Sequence, residues 1–165
     1  MTPQPSPTPQ LHADLAPLSF LLGTWRGRGE GHYPTIEPFE YLEEISFSHV
    51  GKPFIAYTQK TRHAMTDLPL HAEAGYFRPT GPATFEFIVV QPSGIVEMHS
   101  GSIDGQRLTL DTSSVLTTPT AKSVTQVRRT IEVEAATLTY DLSMAAVGLP
   151  LQHHLHATLV RSEAL

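Results

Sequence analysis

The chain has 165 residues, a length that fits one domain, and 40% of them are hydrophobic, enough to bury a core. A net charge of -5 without a basic stripe argues against a nucleic-acid partner, and the lack of cysteine removes disulfides, thiolate metal sites and a cysteine nucleophile. With no basic-then-apolar leader and no apolar run of membrane-spanning length, the expectation is a soluble, cytoplasmic protein without a membrane partner.

Residues 1–14, MTPQPSPTPQLHAD, are rich in Pro, Ser, Thr and Gln and are expected to form a mobile tail that includes His12. A single domain follows over residues 15–165. It opens with LAPLSFLL, a short apolar segment expected to make one helical turn that plugs a barrel end. Next comes Gly23-Thr-Trp-Arg-Gly-Arg-Gly29, a GxWxGxG pattern at the start of a strand. Glycine inside a strand marks a bend or a close approach. Gly23, Gly27 and Gly29 are read as making room around a buried Trp25, either in a barrel that closes on a ligand or in a Trp-plugged barrel end.

From there the chain reads as strands at Trp25–Tyr33, Phe39–His49, Phe54–His63, Leu70–Phe77, Thr84–Val90, Ile95–Ile103, Arg107–Thr112, Ser123–Val133, Thr137–Ala145 and Leu151–Arg161. All are rich in Thr, Val, Ile, Phe and Tyr, and turn signals such as Pro92-Ser-Gly94, Asp104-Gly105 and Gly148-Leu-Pro150 separate them. No segment sustains a helical period. The predicted fold is all-β: a ten-stranded antiparallel up-and-down barrel of the lipocalin or fatty-acid-binding-protein type, with a short helical turn in front. A barrel of this size has room for one small ligand.

No GxSxG, HExxH, phosphate-loop or dinucleotide fingerprint is present. Glu43 and Glu44 are neighbours on one strand and face opposite ways, which suits one exposed and one paired carboxylate better than an acid–base couple. The histidines, nine in all, are more informative, because three of them fall in Gln152-His-His-Leu-His156 on the last strand. Strict alternation puts His154 and His156 on one face and His153 on the other. Three readings stay open: a two-imidazole Zn or Cu site, one imidazole aimed at a haem, or surface histidines on a half-buried strand. Leu155, Ala157 and Leu159 occupy the face opposite His154, so alternation does not say which face is the lumen.

The segments Gly23–Ile36, Pro38–Glu44, Val50-Gly-Lys-Pro-Phe54, Tyr57-Thr-Gln59, Leu70–Tyr76, Pro92-Ser-Gly94, Pro119-Thr-Ala-Lys122 and Ala146–Leu155 together resemble the nitrobindin family, haem-binding β-barrels found in mycobacteria and at the C-terminus of a human THAP-type zinc-finger protein. The resemblance covers about residues 15–161. It implies one haem b per chain at the barrel mouth, with His154 as the axial iron ligand because it stands after the Pro-Leu-Gln-x step of the final strand. It also implies haem contacts at Thr35 and Lys122. Thr35 reads equally as a turn hydroxyl, and Lys122 as a solvated loop cation. The implied activity is isomerisation of peroxynitrite to nitrate at ferric haem, with nitric oxide as a second ligand, and the implied distal side has no hydrogen-bonding histidine. A non-catalytic carrier of haem, fatty acid or another apolar ligand is the alternative. The sequence names no acceptor for the second ring nitrogen of His154. A homodimer through barrel edges and the Tyr41–Phe47 strand is a further expectation.

Overall fold

The computed structural model describes residues 9–162. Ten strands follow a 3-10 helix over Ala13–Leu21: β1 (Gly23–Tyr33), β2 (Ile36–Ser48), β3 (Ile55–His63), β4 (Pro69–Gly81), β5 (Thr84–Gln91), β6 (Ile95–Asp104), β7 (Arg107–Thr117), β8 (Val124–Glu134), β9 (Thr137–Ala146) and β10 (Gln152–Arg161). Each pairs antiparallel with its neighbour in sequence, and β1 pairs with β10 to close the barrel. The predicted all-β, ten-stranded, up-and-down architecture is the one observed. Every predicted strand is present, and turn chemistry explains why: Gly94, Gly105 and Gly148, all in predicted turns, have φ of 87°, 59° and 81°.

Alternation sets the two faces. In β3, Ile55, Tyr57, Gln59 and Thr61 point in and are buried, while Thr58, Lys60 and Arg62 face solvent. Closure removes the free sheet edges on which the expected edge-to-edge dimer depended, and Tyr41, Ile45 and Phe47 of β2 are buried inside the barrel.

The 3-10 helix plugs one end, as expected from LAPLSFLL. Leu15, Leu18 and Leu21 are fully buried. The Trp25 indole N–H donates to the Leu21 carbonyl at 2.8 Å, and the Arg161 guanidinium lies 4.1 Å from the Trp25 ring and donates to the carbonyls of Leu22 and Phe20. Of the expected tail, residues 1–8 lie outside the described residues. Further on, Leu11 packs on the core, His12 Nδ1 accepts the Asp14 N–H at 3.3 Å, and the helix takes up Ala13 and Asp14.

The motif glycines serve neighbours other than the indole. A Cβ at Gly27 would strike the Thr158 carbonyl and the Leu159 backbone, so Gly27 lets β1 and β10 close. Gly29 pairs with Tyr41, whose phenol ring occupies the space a Cβ would need. Gly23, at φ 122°, meets the Arg161 side chain.

Candidate functional site

A cavity of about 490 Å³ runs from the barrel centre to the end opposite the plug, a volume typical of small-molecule sites. Ile36, Phe39, Ile45, Phe47, Leu138, Leu142 and Leu155 supply apolar wall, and His154, His71 and Lys122 line it with them.

His154 reaches this cavity through a β-bulge. On β9, Ser143 pairs with His153 and Leu142 pairs with Leu155, which leaves His154 as the extra residue. One unpaired residue shifts the alternation by a step. His154 and Leu155 therefore both line the cavity, while His153 and His156 both turn outward. Outside the barrel their rings meet one oxygen of Asp141, at 3.0 and 2.9 Å. Strict alternation had paired His154 with His156, and the bulge overturns that pairing. It also removes the two-imidazole metal site, and among the described residues no group of three His, Asp or Glu side chains is arranged to hold a metal ion.

The His154 ring is fixed from two sides. Its Nδ1 lies 2.9 Å from the His32 carbonyl. A carbonyl only accepts, so Nδ1 carries the proton and the Nε2 lone pair is left for a ligand. Tyr33 stands edge-on to the ring at 5.3 Å between centroids, and its own hydroxyl is held by the Ala146 N–H at 3.0 Å and the Met144 carbonyl at 3.1 Å. Burial lowers the His154 pKa against the opposing His32 hydrogen bond, with His32, His153 and His71 adding repulsion. The neutral imidazole that an iron requires is the favoured form.

Lys122 lies on the cavity wall in the β7–β8 connection. Thr35 sits exposed in the β1–β2 turn, one residue before the wall begins at Ile36. A second histidine, His71, is half-buried in the wall, with Nε2 3.6 Å from Glu73 Oε1.

Sequence reasoning missed the polar interior. Arg129 binds both oxygens of Glu73 at 2.9 Å and Glu97 at 2.7 Å, all three being buried. Burial alone would raise both carboxyls, but Arg129 overrides it and holds them below their ordinary range. Gln91 and His99 complete Glu97 at 2.5 and 2.8 Å, and Tyr57 donates to Glu73 at 2.9 Å. Burial lowers the His99 pKa although its hydrogen bond to Glu97 opposes this, so the ring is neutral. Glu43 and Glu44 do face opposite ways. The exposed Glu44 takes the ion pair, with Arg26 at 2.7 Å, while the buried Glu43 has only neutral donors. The available signal was polar residues in the inward phase of otherwise apolar strands, as with Glu43 between Tyr41 and Ile45.

These features define a small closed β-barrel with a ligand cavity and one neutral, carbonyl-braced imidazole in its wall. The THAP4-like, heme-binding beta-barrel domain matches residues 14–161. Peroxynitrite isomerase 2 of Mycobacterium avium (strain 104) is 53% identical over 155 residues, 92% of this chain and 96% of that protein. The peroxynitrite isomerase of Nocardia farcinica (strain IFM 10152) is 50% identical over 162 residues, 96% of each chain. The crystal structure of Rv2717c from M. tuberculosis superposes with a TM-score of 0.88 at 47% identity, covering 93% of this chain and 100% of its own. The S-type phycobiliprotein lyase CPES from Guillardia theta, at 9% identity and a TM-score of 0.61, shares the fold alone. The chain belongs to the THAP4-like, haem-binding β-barrel family, and haem is its expected cofactor.

Proposed function

We propose that this barrel binds one haem b through His154 Nε2 and isomerises peroxynitrite to nitrate, with nitric oxide as a second ligand of the same site. The observation that carries the reading is the His154–His32 hydrogen bond, which fixes the tautomer and leaves the Nε2 lone pair free on a side chain that lines the cavity. The chemistry of the relatives' names enters here: they are called peroxynitrite isomerases at about half identity over nearly the whole chain. A carrier of fatty acid has no use for an imidazole held in this way.

The residues present suit a porphyrin. The walls are mostly apolar, the imidazole is single and neutral, and Lys122 offers a cation to a propionate at the mouth, with Thr35 on the adjoining rim. When bound, the haem supplies an iron with an open coordination position, a Lewis acid for an oxygen of the substrate. Peroxynitrite and nitrate contain the same atoms and the same charge, so the conversion needs no net proton or electron. What the chain would supply is orientation of the His154 ring by His32 and Tyr33, and a walled cavity that holds the substrate beside it.

Titration of the apo-protein with haemin tests this. The native chain is expected to take up one equivalent and develop a Soret band, and His154→Ala is expected to lose affinity by ~10-fold or more, the scale on which loss of a ligand-holding group is felt. Stopped-flow decay of peroxynitrite should accelerate with the loaded native protein only. An unchanged spectrum and affinity in His154→Ala would falsify the assignment.

A further inference from the structure

Three side chains on the cavity wall form a hydrogen-bonded chain that haem ligation leaves unused. Tyr41 and Glu43 project from β2, and Tyr140 projects from β9. The Tyr140 hydroxyl lies 2.9 Å from Glu43 Oε2, 3.1 Å from Oε1 and 2.7 Å from the Tyr41 hydroxyl. Glu43 is 4% exposed, and the one buried cation nearby, Arg129, is committed to Glu73 and Glu97. An ionised carboxylate without a counter-ion is costly to bury. Burial pushes the Glu43 pKa up to about 7, Glu73 of β4 adds to the rise, and Gln59 of β3, Tyr140 and Arg129 of β8 oppose it. Tyr41, Tyr57 and Tyr140 are raised by burial and stay neutral, and the Glu30 charge on β1 adds to the rise at Tyr41. Both forms of Glu43 are therefore populated near neutral pH.

The two forms orient the chain in opposite directions. When Glu43 is ionised, Tyr140 donates to it, Tyr41 donates to Tyr140, and no phenolic hydrogen is left over. When Glu43 is protonated, the Tyr140 oxygen is the acceptor within reach of Oε2. Glu43 Oε1 already accepts from Gln59 Nε2 at 2.7 Å, so the Tyr140 hydrogen turns to the closer Tyr41. The Tyr41 hydrogen then has no acceptor among the described residues. Its ring lies against Gly29, so the last glycine of GxWxGxG is the seat of this open end.

We infer that Glu43, Tyr140 and Tyr41 form a reversible proton relay that stores a proton at Glu43 and presents it, through the Tyr41 hydroxyl, to an acceptor atom of a small oxygen-bearing molecule in the cavity. If the proton is passed on, Tyr41 gives its hydrogen to the acceptor, Tyr140 reprotonates Tyr41, and Glu43 reprotonates Tyr140 and is left as the carboxylate. No electron moves. The relay belongs to the apo-protein, and only the identity of the acceptor rests on the haem reading.

Infrared difference spectroscopy of the apo-protein, titrated from about pH 5 to about pH 9, tests the storage end. A carboxylic-acid C=O band should vanish with a midpoint near 7, be absent from Glu43→Gln, and persist to higher pH in Tyr140→Phe, which loses a hydrogen bond to the carboxylate. No titrating band in the native protein, or one that survives Glu43→Gln, overturns the relay. The presenting end is read from carbon monoxide on the haem-loaded ferrous protein. Its C–O stretch should shift with the same midpoint in the native protein and lose that shift in Tyr41→Phe. A stretch indifferent to pH, or a shift retained in Tyr41→Phe, overturns the presentation step. Failure to bind haemin at all would sink the proposed function, and the infrared titration then judges the relay by itself.

Discussion

Two kinds of carboxylate sit inside this barrel, and they are stabilised on different terms. Glu73 and Glu97 share the Arg129 guanidinium, whereas Glu43 relies on an amide and a phenol. Removing one member of a buried ion cluster leaves the others uncompensated, which typically costs ~3–5 kcal/mol. Arg129→Met should therefore destabilise the chain by about that amount in urea unfolding, while Arg26→Met, which breaks only surface contacts, the pair with Glu44 and a hydrogen bond to Ser162, should change stability by less than ~1 kcal/mol. Equal losses in the two variants would contradict the assignment of Arg129 as the counter-ion of the core. These residues could not be read from the sequence as a group, because their partners come from distant strands. Arg129 is 56 residues from Glu73 and 32 from Glu97. Alternation marks each as inward, but only barrel closure shows which charges meet.

At the level of the strand, sequence pattern was a reliable guide until a residue was added. Turn glycines and runs of Val, Ile, Thr and aromatics marked all ten strands, with bounds that shifted most at the ends of β4 and β7, which run on to Gly81 and Thr117. The bulge at His154 carries no such mark, since neither glycine nor proline accompanies it, and so the face that His154 presents was legible only by family resemblance. The acceptor for its second nitrogen, the His32 carbonyl, is a backbone atom and leaves no trace in side-chain identity. The glycine motif was read as close approach around Trp25, and the close approach is present, but with other partners. Gly27 admits the β10 backbone and Gly29 admits a phenol, while Trp25 is held by the plug. Gly27→Ala should accordingly weaken the β1–β10 seam, with an overpacking loss of ~1–3 kcal/mol or more in denaturant unfolding, and amide exchange should rise first along β1 and β10. Unaltered exchange on both strands would show that the seam tolerates a methyl group.

For the molecule as a whole, ten short strands with short turns can only close on themselves or leave edges, and closure creates an interior that has to be filled. Here it is filled unevenly: aromatic packing at the plugged end, with Phe77 and Phe87 stacked at 4.2 Å, and polar groups around a cavity toward the other. Such an interior makes the stability of the entire barrel depend on pH through several buried groups at once. Glu73 and Glu97 have lowered pKa values, so their contribution is present above the ordinary carboxylate value and lost as pH falls through the acid range. His99 and His154, also lowered, are neutral in the fold, and their contribution is lost as pH falls below the ordinary imidazole value of 6.5. Glu43 has the opposite sign. Its pKa rises from 4.5 to about 7, so the native state keeps a proton that the unfolded chain has released, and stability falls as pH climbs across that window. Because the two histidines mask this in the native protein, the comparison with Glu43→Gln isolates it. The Tm of Glu43→Gln minus that of the native chain should grow steadily from about pH 5 to about pH 7 and stay constant above, because the glutamine never ionises. A difference that is flat across this range would mean that Glu43 carries the same charge folded and unfolded, and that the barrel interior does not hold its proton.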